Sequence, residues 1–224
     1  ALDHADAIFA TGRELLATLQ QSGRQRVPLR VGAQATLSRN FQLAFLRPLL
    51  GRQDVEVILR SGSAAELFSA LTALQLDLVL TNQPPALDAL TPFAVRRLDE
   101  QSVSLIGTPE LCPPGQTLAE RLDRTGLILP TLASGLRVAF DALAGRMGIT
   151  PQLVAEVDDM AMMRLLAREG IGLAVLPPIV VRDELESGAL VEIEALPDLT
   201  ETFYGVTVER RFPNPLLAEL LNAA

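Results

Sequence analysis

The feature that most constrains this chain is a rhythm in which short apolar runs alternate with amphipathic stretches, twice over. "LRVGA" (29–33), "VEVILR" (55–60) and "LDLVLTN" (76–82) read as strands. Between the first two lies "LSRNFQLAFLRPLL", with Leu37, Phe41, Phe45 and Leu49 on one helical stripe. Between the second and third lies "SAAELFSALTAL", which opens on Ser63 with Glu66 three residues on, a capping box. The grammar returns in "GLILP" (126–130), a helix over "GLRVAFDALAGRMG" that stops at Gly148, "LVAEV" (153–157), a helix after Asp158 and Asp159, and the strand "GLAVLP". Strands and helices that alternate this closely predict right-handed crossovers and parallel sheets covered on both faces.

The economical architecture is α/β: two small βαβαβ lobes with a cleft between them. "LDEQSVSLIGTPEL" (98–111) joins the two units, "LVEIEAL" and "FYGVTVERR" add late strands, and "NPLLAELLNAA" adds a terminal helix. Crossings at 98–105 and near 196–206 then form a two-strand hinge. The expected boundaries are 27–99 with 203–224 for lobe I and 100–202 for lobe II. Ahead of them, residues 1–26 place Leu2, Ala5, Phe9, Gly12, Leu16 and Leu19 at alternating steps of three and four. That a/d seam suits pairing with another helix or docking on the chain's own body, and makes Leu2, Phe9, Leu16 and Leu19 the dimerisation candidates. Ala1 falls inside this helix, so the chain is expected to be a piece of a longer one.

Composition removes several function classes. With one cysteine there is neither an internal disulfide nor a multi-cysteine metal site. The net charge of -8 opposes an electrostatic footprint for nucleic acid, so the chain alone is expected not to bind DNA. No apolar run is long enough to span a membrane, and no signal peptide opens the sequence. A Ser-His-Asp or Cys-His device needs a histidine, and His4, the single one, lies in the seam helix. Cys112, beside Pro113 and Pro114, sits in a connector. An enzyme is therefore not expected, and neither is a cofactor.

In open α/β sheets, ligands bind beyond the carboxyl ends of the strands. That rule selects four loops: "AQATLS" (33–38), "SGS" (61–63), "PTLASG" (130–135) and "VDD" (157–159). Each precedes a helix, whose unpaired N–H groups and positive dipole end would face a ligand. Thr36, Ser38, Ser63, Thr131 and Ser134 supply neutral hydroxyls there, or else serve only as helix caps. Of Asp158 and Asp159, one is expected to cap its helix and the other to reach the cleft. The neighbouring methionines read as core filler, and Arg164 with Arg168 as an exposed stripe. Gly170 and Gly172 read as a helix stop and a strand entry; their spacing fits no phosphate loop.

The order and spacing of these segments resemble the effector-binding domain of LysR-type transcriptional regulators, which is similar to type 2 periplasmic binding proteins. The likeness rests on the seam helix, "VGAQATLSRNFQLAFLRPLL", "SGSAAELFSAL" running into "LDLVLTN", and "EVDDMAMMRLLAREGIGLAVLP". "GLILPTLASGLRVAFDALAGRMGI", "VDDMAMMRLLA" and "FYGVTVERRFPNPLL" look most like the sodium-responsive antiporter regulators of that family. The resemblance implies a cytoplasmic sensing domain that dimerises or tetramerises and reaches DNA only through an amino-terminal winged helix-turn-helix outside this chain. It implies an effector site made by Thr36, Ser38, Ser63 and Asn82 with Thr131, Ser134 and Asp159, the effector being a small molecule or an ion. Asp158 and Asp159 are the candidates for holding a cation, and no other metal site is expected. The alternative reading is a periplasmic solute receptor of a transport system.

Overall fold

The computed structural model describes residues 12, 26–85 and 93–222. The seam candidates Leu2, Phe9, Leu16 and Leu19, and His4, lie outside the described residues. The chain divides into two compact units. Unit 1 takes the described residues up to Gln34, then Gln42–Asp99 and those from Phe203 on; unit 2 takes Ala35–Phe41 and Glu100–Thr202.

Unit 1 is built on β1 (Val27–Gln34), β2 (Val55–Gly62) and β3 (Leu78–Thr81). β2 and β3 flank β1 and both run parallel to it, in register from Val27↔Val55 and from Val31↔Leu78. The crossovers carry α1 (Arg39–Leu46) and α2 (Ala64–Thr72). Leu37, Phe41, Phe45 and Leu49 are all buried, as their stripe predicts. The helix nevertheless stops at Leu46 and continues as turns through Gly51, because Pro48 cannot extend it.

Unit 2 repeats the pattern with β5 (Leu127–Pro130) between β6 (Leu153–Val157) and β7 (Leu173–Leu176), all parallel. Its helices include α3 (Leu118–Arg124), α4 (Gly135–Met147), α5 (Met160–Arg168) and α6 (Arg182–Ser187). Gly148 closes α4 in the left-handed conformation at φ 68°, which glycine adopts without a Cβ clash. A core centred on Phe140, Leu127, Ile128, Leu173 and Met163, each fully buried, lies between this sheet and its helices.

The parallel expectation holds for these six strands and fails for two more. β4 (Phe93–Gly107) and β8 (Val191–Val208) are single long strands where the sequence suggests a connector and two separate strands. β8 adds antiparallel to β3 in unit 1 (Val79↔Val206), and β4 adds antiparallel to β7 in unit 2 (Ser104↔Leu176). The chain thus crosses between units twice inside strands. Both escape a pattern reading for physical reasons. Only the last five residues of β4 are fully buried, the rest being exposed or half-buried and rich in charge. β8 contains Pro197 and Asp198, the latter at φ 59°, a combination that reads as a break. The last helix, α7 (Pro215–Asn222), packs Leu216, Leu217 and Leu220 into unit 1.

Candidate functional site

A hollow of about 210 Å³, counting the solvent at its mouth, opens at the carboxyl ends of β5 and β6. It is lined by Thr36, Pro130, Thr131, Ser134, Val157, Asp158, Asp159, Met160 and Met163, all of unit 2. Five of the sequence candidates therefore converge: Thr36, Thr131, Ser134, Asp158 and Asp159. The loop after β5 is drawn in by backbone bonds from Thr131 N–H to the Val157 carbonyl (3.1 Å) and from Ser134 N–H to the Thr131 carbonyl (2.9 Å). Thr36 stands on the segment Ala35–Phe41, anchored in unit 2 by buried Asn40, whose Nδ2 donates to the Ile179 carbonyl at 2.9 Å.

The two aspartates both line the hollow but take different roles. Asp159 is the N-cap of α5, its Oδ1 accepting from the Ala161 N–H at 2.8 Å. Asp158 stands exposed at the hollow with no hydrogen bond or ion pair among the described residues. Ser134 occupies the N-cap position of α4 but its side chain makes no capping bond, although the residue is only 6% exposed. Met160 and Met163 are core filler, as expected, and also form the apolar floor. Arg164 does not belong to an exposed stripe; its Nε donates to Oε1 of buried Glu184 at 2.7 Å. Arg137, whose Nη1 donates to the Pro130 carbonyl at 3.1 Å, is engaged by Asp141 and Glu156 at 3.0 and 2.8 Å. Sequence alone did not point to Asn40 or Arg137, since a single polar residue on an amphipathic helix carries no periodic signal.

The remaining candidates lie elsewhere. Ser38 is buried and its Oγ accepts from the Phe41 N–H at 3.3 Å, a helix-start role. Ser63 and Asn82 belong to unit 1. Ser63 is engaged in the predicted box: its backbone N–H and hydroxyl donate to the Glu66 carboxylate at 3.0 and 2.8 Å, and its Oγ accepts from the Glu66 N–H. The Ser63 hydroxyl and backbone hold the Glu66 carboxyl below the usual glutamate range. A depressed carboxyl stabilises the fold above its unfolded pKa and loses that contribution as pH falls through the folded one. Ser63→Ala is therefore expected to lower the melting temperature at neutral pH and to lower it less in acid, once Glu66 is protonated in the wild type as well. Thermal melts at neutral and acid pH check this.

Cys112 is half-buried and donates to the Thr108 carbonyl at 3.1 Å. Burial pushes its thiol up and Arg121 only partly offsets it, the opposite of an activated nucleophile. Among the described residues, no three His, Cys, Asp or Glu side chains gather as a metal site, and no helix is long and apolar enough to cross a membrane.

Residues 22–224 match the family described as the LysR substrate binding domain. The chain belongs to this family. It is a ligand-sensing regulatory domain of a LysR-type transcriptional regulator, a family of regulators and not of enzymes. It is 20% identical over 220 residues to the transcriptional activator protein NhaR of Escherichia coli, covering 98% of this chain and 72% of that protein. Its fold is similar to the regulatory domain of HypT from Salmonella typhimurium in the apo form, with a TM-score of 0.71, 16% identity and coverage of 90% and 98% of the two chains. The Synechocystis CcmR regulatory domain in complex with 2-PG is similar with a TM-score of 0.67, 16% identity and coverage of 88% and 96%. The periplasmic-receptor alternative draws no support from the family match.

Proposed function

We propose that the hollow at the carboxyl ends of β5 and β6 is an effector-binding site, with Thr36, Thr131, Ser134 and Asp158 touching the effector. The observation that carries this is Ser134. A serine at a helix start that is 6% exposed, lines a cavity and is not used as a cap has its polar group kept for something else. Ser38 and Asp159 support the site by fixing the starts of α1 and α5.

Effector binding would favour one arrangement of the domain over another, and only a ligand with different affinity for the two can shift their populations. The shift is read by a DNA-binding part of the full regulator, whose location in the cytoplasm goes with that role. Leu2, Phe9, Leu16 and Leu19 carry self-association into a dimer or tetramer. The likeness to NhaR supports the sodium-responsive branch as the place to look for effectors.

Thermal-shift titration of the intact chain with small carboxylates, amino acids, and sodium and lithium chloride tests the site. At least one probe should raise the melting temperature, and the Thr131→Ala/Ser134→Ala variant should lose that rise while melting cooperatively. A rise of equal size in the variant would remove the hollow from the site.

A further inference from the structure

The proposed sensing role leaves open what the hollow accepts; the following inference rests on that reading and narrows it to a ligand class. The hollow has two poles of opposite sign. One is the start of α4, a helix of 13 residues whose first turn contains no acidic residue and whose N-cap side chain makes no capping bond. Its first N–H groups therefore keep their partial positive charge, and the buried Ser134 hydroxyl beside them has a proton to donate. The start of α5 differs, since the Asp159 carboxylate already accepts from the Ala161 N–H.

The other pole is Asp158 with Asp159. Among the described residues Asp158 has no partner, and none that lines the hollow is basic. The guanidinium beside Pro130, that of Arg137, is already engaged by Asp141 and Glu156. A purely anionic ligand drawn to α4 would enter against the Asp158 carboxylate, which has no counter-charge among the described residues, and this disfavours it. A bare cation drawn to the aspartates would leave Ser134 and the α4 start without an acceptor.

We propose that the ligand is a small zwitterion of the α-amino-acid type. Its carboxylate accepts from Ser134 and the start of α4, and its ammonium group faces Asp158. An aliphatic side chain lies against Val157. Each end of such a molecule answers one pole, and neither end alone answers both.

Thermal shift and calorimetry on the intact chain, using the standard amino acids as probes, test this. Each amino acid that binds is then compared with its amine, which lacks the carboxylate, and with its 2-hydroxy acid, which lacks the ammonium group. Both analogues should bind about tenfold more weakly or worse, the scale of one lost charge-assisted hydrogen bond. Asp158→Asn should weaken the amino acid and the amine but not the hydroxy acid; Ser134→Ala should weaken the amino acid and the hydroxy acid but not the amine. Circular dichroism confirms that both variants fold. The inference is overturned if no amino acid raises the melting temperature, or if a singly charged analogue binds as tightly as its parent. The sensing role survives that result if a carboxylate or an alkali salt stabilises the wild type and not Thr131→Ala/Ser134→Ala. It falls with the inference if neither does.

Discussion

Asp77→Ala is expected to destabilise unit 1 by about 3–5 kcal/mol, the cost of stripping one partner from a buried ion pair. The Asp77 side chain is fully buried and that of Arg210 is 6% exposed; Nη1 of Arg210 donates to Oδ1 at 2.9 Å. The second carboxylate oxygen accepts from the Arg30 backbone N–H at 2.8 Å and from Asn214 Nδ2 at 3.4 Å. One side chain thereby ties β1, the approach to β3 and the segment leading into α7. Alanine would leave a guanidinium in the interior with the Leu76 carbonyl as its remaining acceptor among the described residues. Urea denaturation should show a lower midpoint, and hydrogen exchange should locate the loss in β1 to β3. Adding Arg210→Met to Asp77→Ala should recover part of it, because an apolar pair leaves no buried charge. If Asp77→Ala unfolds at the wild-type midpoint, the network contributes nothing to stability.

The second large effect is expected at Gly172. A Cβ there would lie 2.5 Å from the Gly126 carbonyl oxygen and 2.8 Å from Val154 Cγ2. The first of these is backbone, in the strand pair where the Leu173 N–H donates to the same Gly126 oxygen at 2.9 Å. No rotamer change relieves a clash with backbone, so Gly172→Ala should cost about 3 kcal/mol, the upper end for overpacking a core. Gly145→Ala is the control. It lies in α4 with nothing within 4 Å of its Cβ and should stabilise by up to about 1 kcal/mol through helix propensity. Equal behaviour of the two variants in denaturant would show that β5 and β7 can separate to admit a methyl group.

The glycine illustrates a wider difference between pattern and packing. From sequence, Gly172 is a strand entry; its reason for being glycine is a strand 46 positions earlier, Gly126, which no local pattern reports. Elements whose signal is local were legible. The Ser63–Glu66 capping box, the four-residue buried strands β3, β5 and β7, the α4 stop at Gly148 and the stripe Leu37–Phe41–Phe45–Leu49 each follow from burial period or terminal chemistry within a dozen residues.

The candidate site was legible as a set of loops, because the rule that ligands gather at strand carboxyl ends depends only on the order of strands and helices. Which of their side chains are already engaged by the fold was not. Two adjacent aspartates have the same chemistry, and only the backbone path into α5 decides that Asp159 turns back to the Ala161 N–H while Asp158 has no partner among the described residues. Ser134 and Ser63 are both helix-start serines in sequence. Glu66 lies three residues after Ser63 and completes a box, whereas Arg137 lies three residues after Ser134 and turns instead to Asp141 and Glu156. The long strands β4 and β8 are decided by tertiary structure for the same reason. Their charged or proline-broken sequences have little local preference for strand, and hydrogen bonds to β7 and β3, distant in sequence, supply what burial periodicity does not. Sequence determined the elements that bury their own faces; the tertiary structure decided every feature whose partner lies far along the chain.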